Sequence, residues 1–250
     1  MRLSERDAGL AELMDDPACD PERLRRTLCR FGIVNRAVSR WGSVYRARLR
    51  PVLRGLERPA RILDIGCGGG DVLHRLVRLA HRDGLEVEAL GVDPDLRAIE
   101  VAQRRRPVPG LSFERAGSGA LRERGERFDV VISNHLLHHL DGRAFDELID
   151  DSEALATGLC VHSDIARGRT AYLAFAVAIT PFAPGTFLRI DGLRSIRRSY
   201  TPPELAARLP ADWRVERLGP FRLLALRPGP ADDPRLSPRP SRSDAGGSSP

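Results

Sequence analysis

Residues 61–71, RILDIGCGGGD, constrain the fold of this chain more than any other stretch. An apolar run ends in an acid, glycines follow at alternate positions 66, 68 and 70, and apolar residues then recur at helical spacing. The run reads as a buried strand. The glycines let the backbone turn sharply and let a ligand approach with no Cβ in the way. The helix behind them turns its free N–H groups toward the same place. Strand, glycine turn and helix N-terminus in this order make a site for a nucleotide-type ligand.

From this point strands and helices alternate. Strands are predicted over 61–65, 87–93, 111–116, 128–133 and 157–164. The helices between them place Leu73, Leu76, Val77 and Ala80, then Leu96, Ile99 and Ala102, then Phe145, Leu148, Ile149 and Leu155 on their inner faces. Such alternation predicts an α/β fold, a mostly parallel sheet covered by helices on both faces. Before it, Asp20-Pro21-Glu22 opens a helix carrying Leu24, Leu28 and Phe31. After Gly32 a second helix is expected to run to about Pro51.

Beyond the fifth strand the pattern breaks. Thr170–Leu188 carries no charge, but Pro181, Pro184 and Gly185 interrupt it. A membrane-spanning helix needs about twenty apolar residues without such punctuation, so a buried or interfacial helix followed by a loop is expected. Thr201-Pro202-Pro203-Glu204 is a capping box, and 213–218 and 221–227 read as a hairpin at the sheet edge. The chain thus divides into an N-terminal helical cap over 1–58, a ligand-binding domain over 59–227 with a mostly apolar insertion at 165–200, and a tail over 228–250. The tail holds mainly Pro, Ser, Gly, Asp and Arg, a composition that predicts disorder.

The glycine spacing narrows the ligand. The third glycine arrives one residue earlier than in the dinucleotide fingerprint, and Asp64 would repel a pyrophosphate but welcome a cationic amine. Asp93 closes the second strand, where a carboxylate can accept both hydroxyls of a ribose. These features require a ribose and a charged amino group but no phosphate, and S-adenosylmethionine has both.

LDIGCGGGD, GVDPD and FDVVISNHLLHHL, in this order over about residues 60–165, resemble the motifs of class I S-adenosylmethionine-dependent methyltransferases. The resemblance implies a Rossmann-like seven-stranded sheet whose last strand is antiparallel. It implies that Asp64, Gly66, Cys67, Gly68 and Gly70 cradle the amino-acid part of the cofactor, that Asp93 holds the ribose and that Pro94 lies against the adenine. Asn134, at the tip of the fourth strand, also falls in the cofactor set. Where the family often has an acid for the adenine amino group, this chain has Ala116-Gly117-Ser118, which leaves Ser118 or a backbone carbonyl for that contact.

Methyl transfer asks the protein to position an acceptor and manage its proton. The strand tips deliver His135, His138, His139, His162, Asp164 and Arg167. A histidine suits deprotonation of a phenol or enol, so His135 or His138 is expected as the base, with Asp164 orienting the acceptor and His139 packed structurally. No Pro-Pro-aromatic sequence follows Asn134, which disfavours methylation of base amino groups. The expected acceptor is small, largely apolar and phenolic, polyketide or quinone-like, methylated at oxygen or carbon. The apolar insertion and Arg167, Arg169, Arg189 and Arg194 also allow shallow docking on a membrane surface.

Charge and cysteine content bound the alternatives. All 40 basic residues are arginine and the formal charge is +6, with eleven Arg against two Glu in 21–58. That excess supports a second reading, methylation of ribosomal or transfer RNA, although a solvated helix face explains it more simply. A third reading is a catalytically silent S-adenosylmethionine-binding protein. Cys19, Cys29, Cys67 and Cys160 form no CxxC pair, so neither a disulfide framework nor a metal site is expected. The opening MRLSERDAGLAELMDD lacks an apolar signal core, and a reduced cytoplasm is the expected location.

Overall fold

The computed structural model describes residues 3–229; most of the expected disordered tail lies outside them. Helix α1 (Pro21–Val38) starts where the sequence indicates, and the Asp20 carboxylate accepts the Glu22 and Arg23 N–H groups. Gly32 does not end it: the glycine lies inside α1, where an added Cβ would stand 3.5 Å from Cβ of Asp71. The break falls instead at Arg40, in the left-handed region at φ 55. Helical backbone then continues through α2 (Trp41–Val44), a π-helical turn (Tyr45–Leu49) and α3 (Arg50–Arg54), past Pro51. The wider π turn relieves the clash of the proline ring with the preceding turn, which is why the helix does not stop there.

The alternation then runs β1 (Ala60–Ile65), α4 (Asp71–Arg82), β2 (Val87–Asp93), α5 (Leu96–Gln103), β3 (Leu111–Arg115), α6 (Ser118–Glu123) and β4 (Phe128–Asn134). A single turn of 3-10 helix (Leu137–His139) leads to α7 (Gly142–Leu155) and β5 (Ala156–Ile165). The insertion forms α8 (Arg169–Ala178), a short 3-10 turn (Thr180–Phe182) and α9 (Leu188–Arg198). Helix α10 (Pro202–Arg208), with the expected capping box, precedes the hairpin of β6 (Arg214–Arg217) and β7 (Arg222–Arg227).

The seven strands lie in the order β3-β2-β1-β4-β5-β7-β6. β1 to β5 are parallel, and β7 enters antiparallel between β5 and β6. Strand residues alternate between two cores. Ile62, Val130, Ile132 and Val161 face α2, α3 and α4, while Leu63, Val131, Cys160 and Leu223 face α6, α7 and α10. A third cluster joins Leu24 and Leu28 of α1 to Ala98 and Val101 of α5. Leu96, expected to point inward, is 48% exposed; Ala98 and Val101 make that contact in its place.

β4 and β5 meet closely where their register shifts between Phe128 and Val130. A Cβ on Gly158 would stand 2.5 Å from the Asp129 carbonyl oxygen. Gly158→Ala is therefore expected to lower unfolding free energy by about 2 kcal/mol, an overpacking cost measurable by urea denaturation.

Candidate active site

A cavity of about 620 Å³ opens at the C-terminal tips of β1, β2 and β4. Its floor is the glycine loop. Gly66, Gly68 and Gly70 take φ of 67°, 52° and 70°, and the Cys67 N–H donates to the Val92 carbonyl, tying the loop to β2. Gly68 has no atom within 4 Å of where its Cβ would sit, so the cavity is open there. At Gly70 a Cβ would strike the Phe113 ring at 2.5 Å, which lets α4 start hard against β3. The roof is apolar: Leu24, Leu28, Phe31 and Val34 of α1, Ala174 and Phe175 of α8, and Leu188 and Ile196 of α9.

The end of the cavity over the loop is acidic. Asp64 is 1% exposed, and its Oδ1 has no hydrogen-bond partner among the described residues. Burial, reinforced by the charges of Asp71 and Asp93, pushes its pKa well above the usual carboxylate range. Asp93 accepts the Gly68 N–H on Oδ2 and the Asp95 N–H on Oδ1, each at 2.9 Å, and burial raises its pKa too. Asp71 accepts from Asn35 Nδ2 at 3.1 Å. Buried carboxylates with an unpaired oxygen describe a pocket built for a cation.

At the tips of β4 and β5 the polar groups form one network. Asn134 Oδ1 accepts from Trp41 Nε1 at 3.0 Å and from Arg222 Nη2 at 2.7 Å. His135 sits at φ 58, a conformation uncommon for a residue with a Cβ, and donates its N–H to the Ser163 carbonyl at 2.9 Å. Its Nε2 accepts from Arg222 Nη1 at 2.5 Å. Burial, then the Arg222 charge, holds the His135 pKa well below its ordinary value, so the ring is neutral. Arg222 is buried on uncharged partners, with its Nε unpaired among the described residues; burial lowers its pKa to about 10, and it remains charged.

His138 lies in a different setting. Its Nδ1 and backbone N–H meet the two oxygens of Asp164 at 2.6 and 2.9 Å, and its Nε2 faces Glu12 Oε1 at 3.5 Å. Burial opposes charge here, but Asp164 and Glu12 outweigh it and raise the pKa to about 9. His138 is an imidazolium near neutral pH in the ligand-free chain, and the acceptor nitrogen of His135 is taken by Arg222.

The remaining site residues separate cleanly. Asp64, Gly66, Cys67, Gly68, Asp93, Pro94, Asn134, His135 and His138 line the cavity, whereas Gly70 shapes the loop from behind. Asp164 is not on the wall; it holds the His138 turn from below. Ser118 also lies off the wall, and its hydroxyl donates to Asp151 Oδ2 at 2.7 Å. His162 stacks on Trp213 with ring centroids 5.2 Å apart, and Arg167 holds the Leu3 and Ser199 carbonyls and Glu204. Both are structural.

Sequence reasoning missed Glu12, Asp15, Trp41, Asn35 and Arg222. Glu12 sits in a segment without periodicity, and Arg222 is one arginine among 40. The lone signal was the exposed-type residue opening an otherwise apolar closing strand.

The family described as "Methyltransferase domain" matches residues 62–155. Over these residues the chain is similar to a methyltransferase domain. The domain is 38% identical over 94 residues to the ubiquinone biosynthesis O-methyltransferase of Azorhizobium caulinodans, a match covering 37% of this chain and 33% of that protein. It is 34% identical over 116 residues to the protein of the same description from Roseobacter denitrificans, covering 45% of this chain and 44% of that one. The match thus spans less than half the length of either relative. Around the methyltransferase domain the whole fold resembles the plantazolicin methyltransferase BpumL in complex with SAH, at 15% identity and TM-score 0.54, covering 83% of this chain and 96% of that one. A structure titled for conversion of a disulfide bond into a thioacetal group during echinomycin biosynthesis aligns with TM-score 0.50 at 21% identity, covering 74% of this chain and 80% of that one.

Proposed function

We propose that this chain methylates an oxygen of a small, largely apolar acceptor of phenolic, polyketide or quinone-like type, using S-adenosylmethionine. The observation that carries this reading is the two-part cavity, with an acidic end over the glycine loop continuous with an apolar gallery under α1, α8 and α9. Asp64, with one carboxylate oxygen unpaired among the described residues, would hold the ammonium of the cofactor. Each oxygen of Asp93 takes one backbone N–H and keeps a lone pair for a ribose hydroxyl. Gly66, Cys67, Gly68 and Pro94 leave room for the rest. When bound, S-adenosylmethionine supplies a methyl group already activated by a sulfonium.

The protein's own task is then to exclude water, place the acceptor and favour its anion. The apolar gallery does the first two. Arg222, a buried cation on neutral partners, lowers the pKa of an acceptor hydroxyl nearby, while neutral His135 and Asn134 fix the plane of its guanidinium. Charge thus replaces a histidine base: the acceptor gives its proton to bulk water on entry and is held in the cavity as its anion. The name O-methyltransferase borne by the relatives agrees with oxygen as the target.

RNA as the acceptor has less support. On α1 the Arg25 and Arg26 side chains pair with Glu22, and Arg23 and Arg30 hold carbonyls of the loop at Thr186, Phe182 and Pro184. Work in the cytoplasm, the finer part of this reading, is supported by four cysteines that are all free. No described helix is long and apolar enough to cross a membrane, and α8 turns Leu173 and Val177 outward, which suits brief contact with a lipid surface. The test is incubation with methyl-labelled cofactor and a panel of apolar phenols and quinols. Label is expected in a methyl ether; cofactor binding without transfer to any phenol, but with transfer to RNA, would overturn the reading.

A further inference from the structure

Glu12, His138 and His139 converge on one wall of the cavity, and the methyl-transfer reading leaves them without a task. The N-terminal segment is fastened so that Glu12 points inward. The Leu13 and Met14 N–H groups donate to the Asp191 carboxylate at 2.8 and 3.0 Å, and Ser195 Oγ donates to Glu12 Oε1 at 2.8 Å. Glu12 Oε1 then lies 3.5 Å from His138 Nε2 and 3.7 Å from His139 Nε2, and the three donor atoms are all within 4.8 Å of one another.

Asp164 and Glu12 pair with the His138 ring, but the pairing is incomplete at Nε2. His138 Nε2 is buried and has no hydrogen-bond partner among the described residues. Ligands that bond one ion at about 2.1 Å stand roughly 3.0–3.5 Å apart, and the two distances from Glu12 to the imidazole nitrogens, 3.5 and 3.7 Å, lie at and just beyond that range. The far nitrogen of each ring is held by a carboxylate, His138 Nδ1 by Asp164 at 2.6 Å and His139 Nδ1 by Asp15 at 3.1 Å. That is the outer-shell pattern that fixes the tautomer of a metal-binding histidine and leaves Nε2 free to ligate. Charge points the same way. Glu12, Asp15 and Asp164 contact the two rings, and Arg198 is the one guanidinium within ion-pair range of these carboxylates among the described residues. With both rings neutral the cluster carries a net charge of −2, from three carboxylates and one guanidinium, which a divalent cation balances.

We propose that Glu12, His138 and His139 bind a divalent transition-metal ion of the zinc, manganese or iron(II) class. Two imidazoles and one carboxylate suit such ions, whereas magnesium and calcium prefer oxygen donors throughout. The ion displaces the proton from His138 on binding. All three ligands line the cavity, so the ion's open positions face the acceptor gallery and take an acceptor oxygen, such as one of a vicinal pair of phenol oxygens. That last use rests on the methyltransferase reading; the binding of the ion does not.

The test uses the full chain stripped with a chelator and titrated with Zn²⁺, Mn²⁺ or Co²⁺ alone. One ion per chain is expected, with Co²⁺ giving a visible absorption band. His139→Ala and Glu12→Gln are each expected to weaken binding at least tenfold, while His81→Ala, on an exposed helix position, leaves it unchanged. S-adenosylhomocysteine binding, followed on the same samples, reports that each variant is folded. No ion bound by a stripped chain that still binds S-adenosylhomocysteine overturns the proposal and leaves the methyltransferase reading standing, as does equal binding by both variants. An ion bound as expected without methyl transfer to any phenol supports the site and overturns the reading of the reaction.

Discussion

Asp64→Asn is expected to weaken S-adenosylhomocysteine binding by about a hundredfold while raising the thermal stability of the ligand-free chain. The two effects have one cause. Asp64 is buried with an unpaired oxygen beside Asp71 and Asp93, so in the empty cavity its charge is a cost that an amide of the same shape does not carry. Opposite the ligand's ammonium the same charge forms a desolvated pair, and its loss costs about 3 kcal/mol, or roughly a hundredfold. Because its pKa is raised in the empty cavity and lowered by the bound ammonium, binding releases a proton wherever free Asp64 is protonated. Affinity in the parent chain therefore falls as pH falls, from above the ordinary carboxylate range of about 4 downward, with a limiting slope of tenfold per unit. Asp64→Asn removes that slope. Calorimetry across pH and a melting curve test both signs; a variant that binds normally would show that the ammonium lies elsewhere.

Asp164→Asn is expected to lower unfolding free energy by about 3 kcal/mol, at the lower end for breaking a buried ion pair. The Asp164 carboxylate receives three donors, the His138 ring and N–H and the Ile165 N–H at 2.6, 2.9 and 2.6 Å. An amide offers one acceptor oxygen and turns a donor toward another donor. The turn at Leu137–His139 then loses its anchor, and with it one wall of the cavity. Urea denaturation reads the loss. A residue acting directly on the acceptor would instead depress turnover in a chain of unchanged stability, and that result would contradict the positioning role.

Features set by local chemistry were legible in the sequence. β2 runs over Val87–Asp93 as expected because an apolar run closed by Asp-Pro has few other solutions. The Asp20 and Thr201 caps and the glycine loop likewise follow from short-range pattern, whereas the seven-stranded sheet with its antiparallel closing strand is implied by the family resemblance of the motifs. Gly32 and Pro51 misled for a physical reason: one glycine costs a helix only about 1 kcal/mol, which the capped and packed α1 outweighs, and a π turn absorbs a proline. The polar site was less legible because its partners are far apart in the chain. Arg222 reaches His135 across 87 residues, and Glu12 meets His138 only because Asp191 and Ser195 fasten the N-terminal segment. No periodicity encodes such pairs. Ser118 could be named from its position after β3, but its bond to Asp151 depends on where α7 packs.

The most direct test of this account is calorimetric titration of the purified chain with S-adenosylmethionine and, separately, with NAD, near neutral pH. One saturable site for S-adenosylmethionine, with no heat from NAD, is the predicted result. Saturable binding of NAD, or no binding of S-adenosylmethionine by the folded chain, would contradict it.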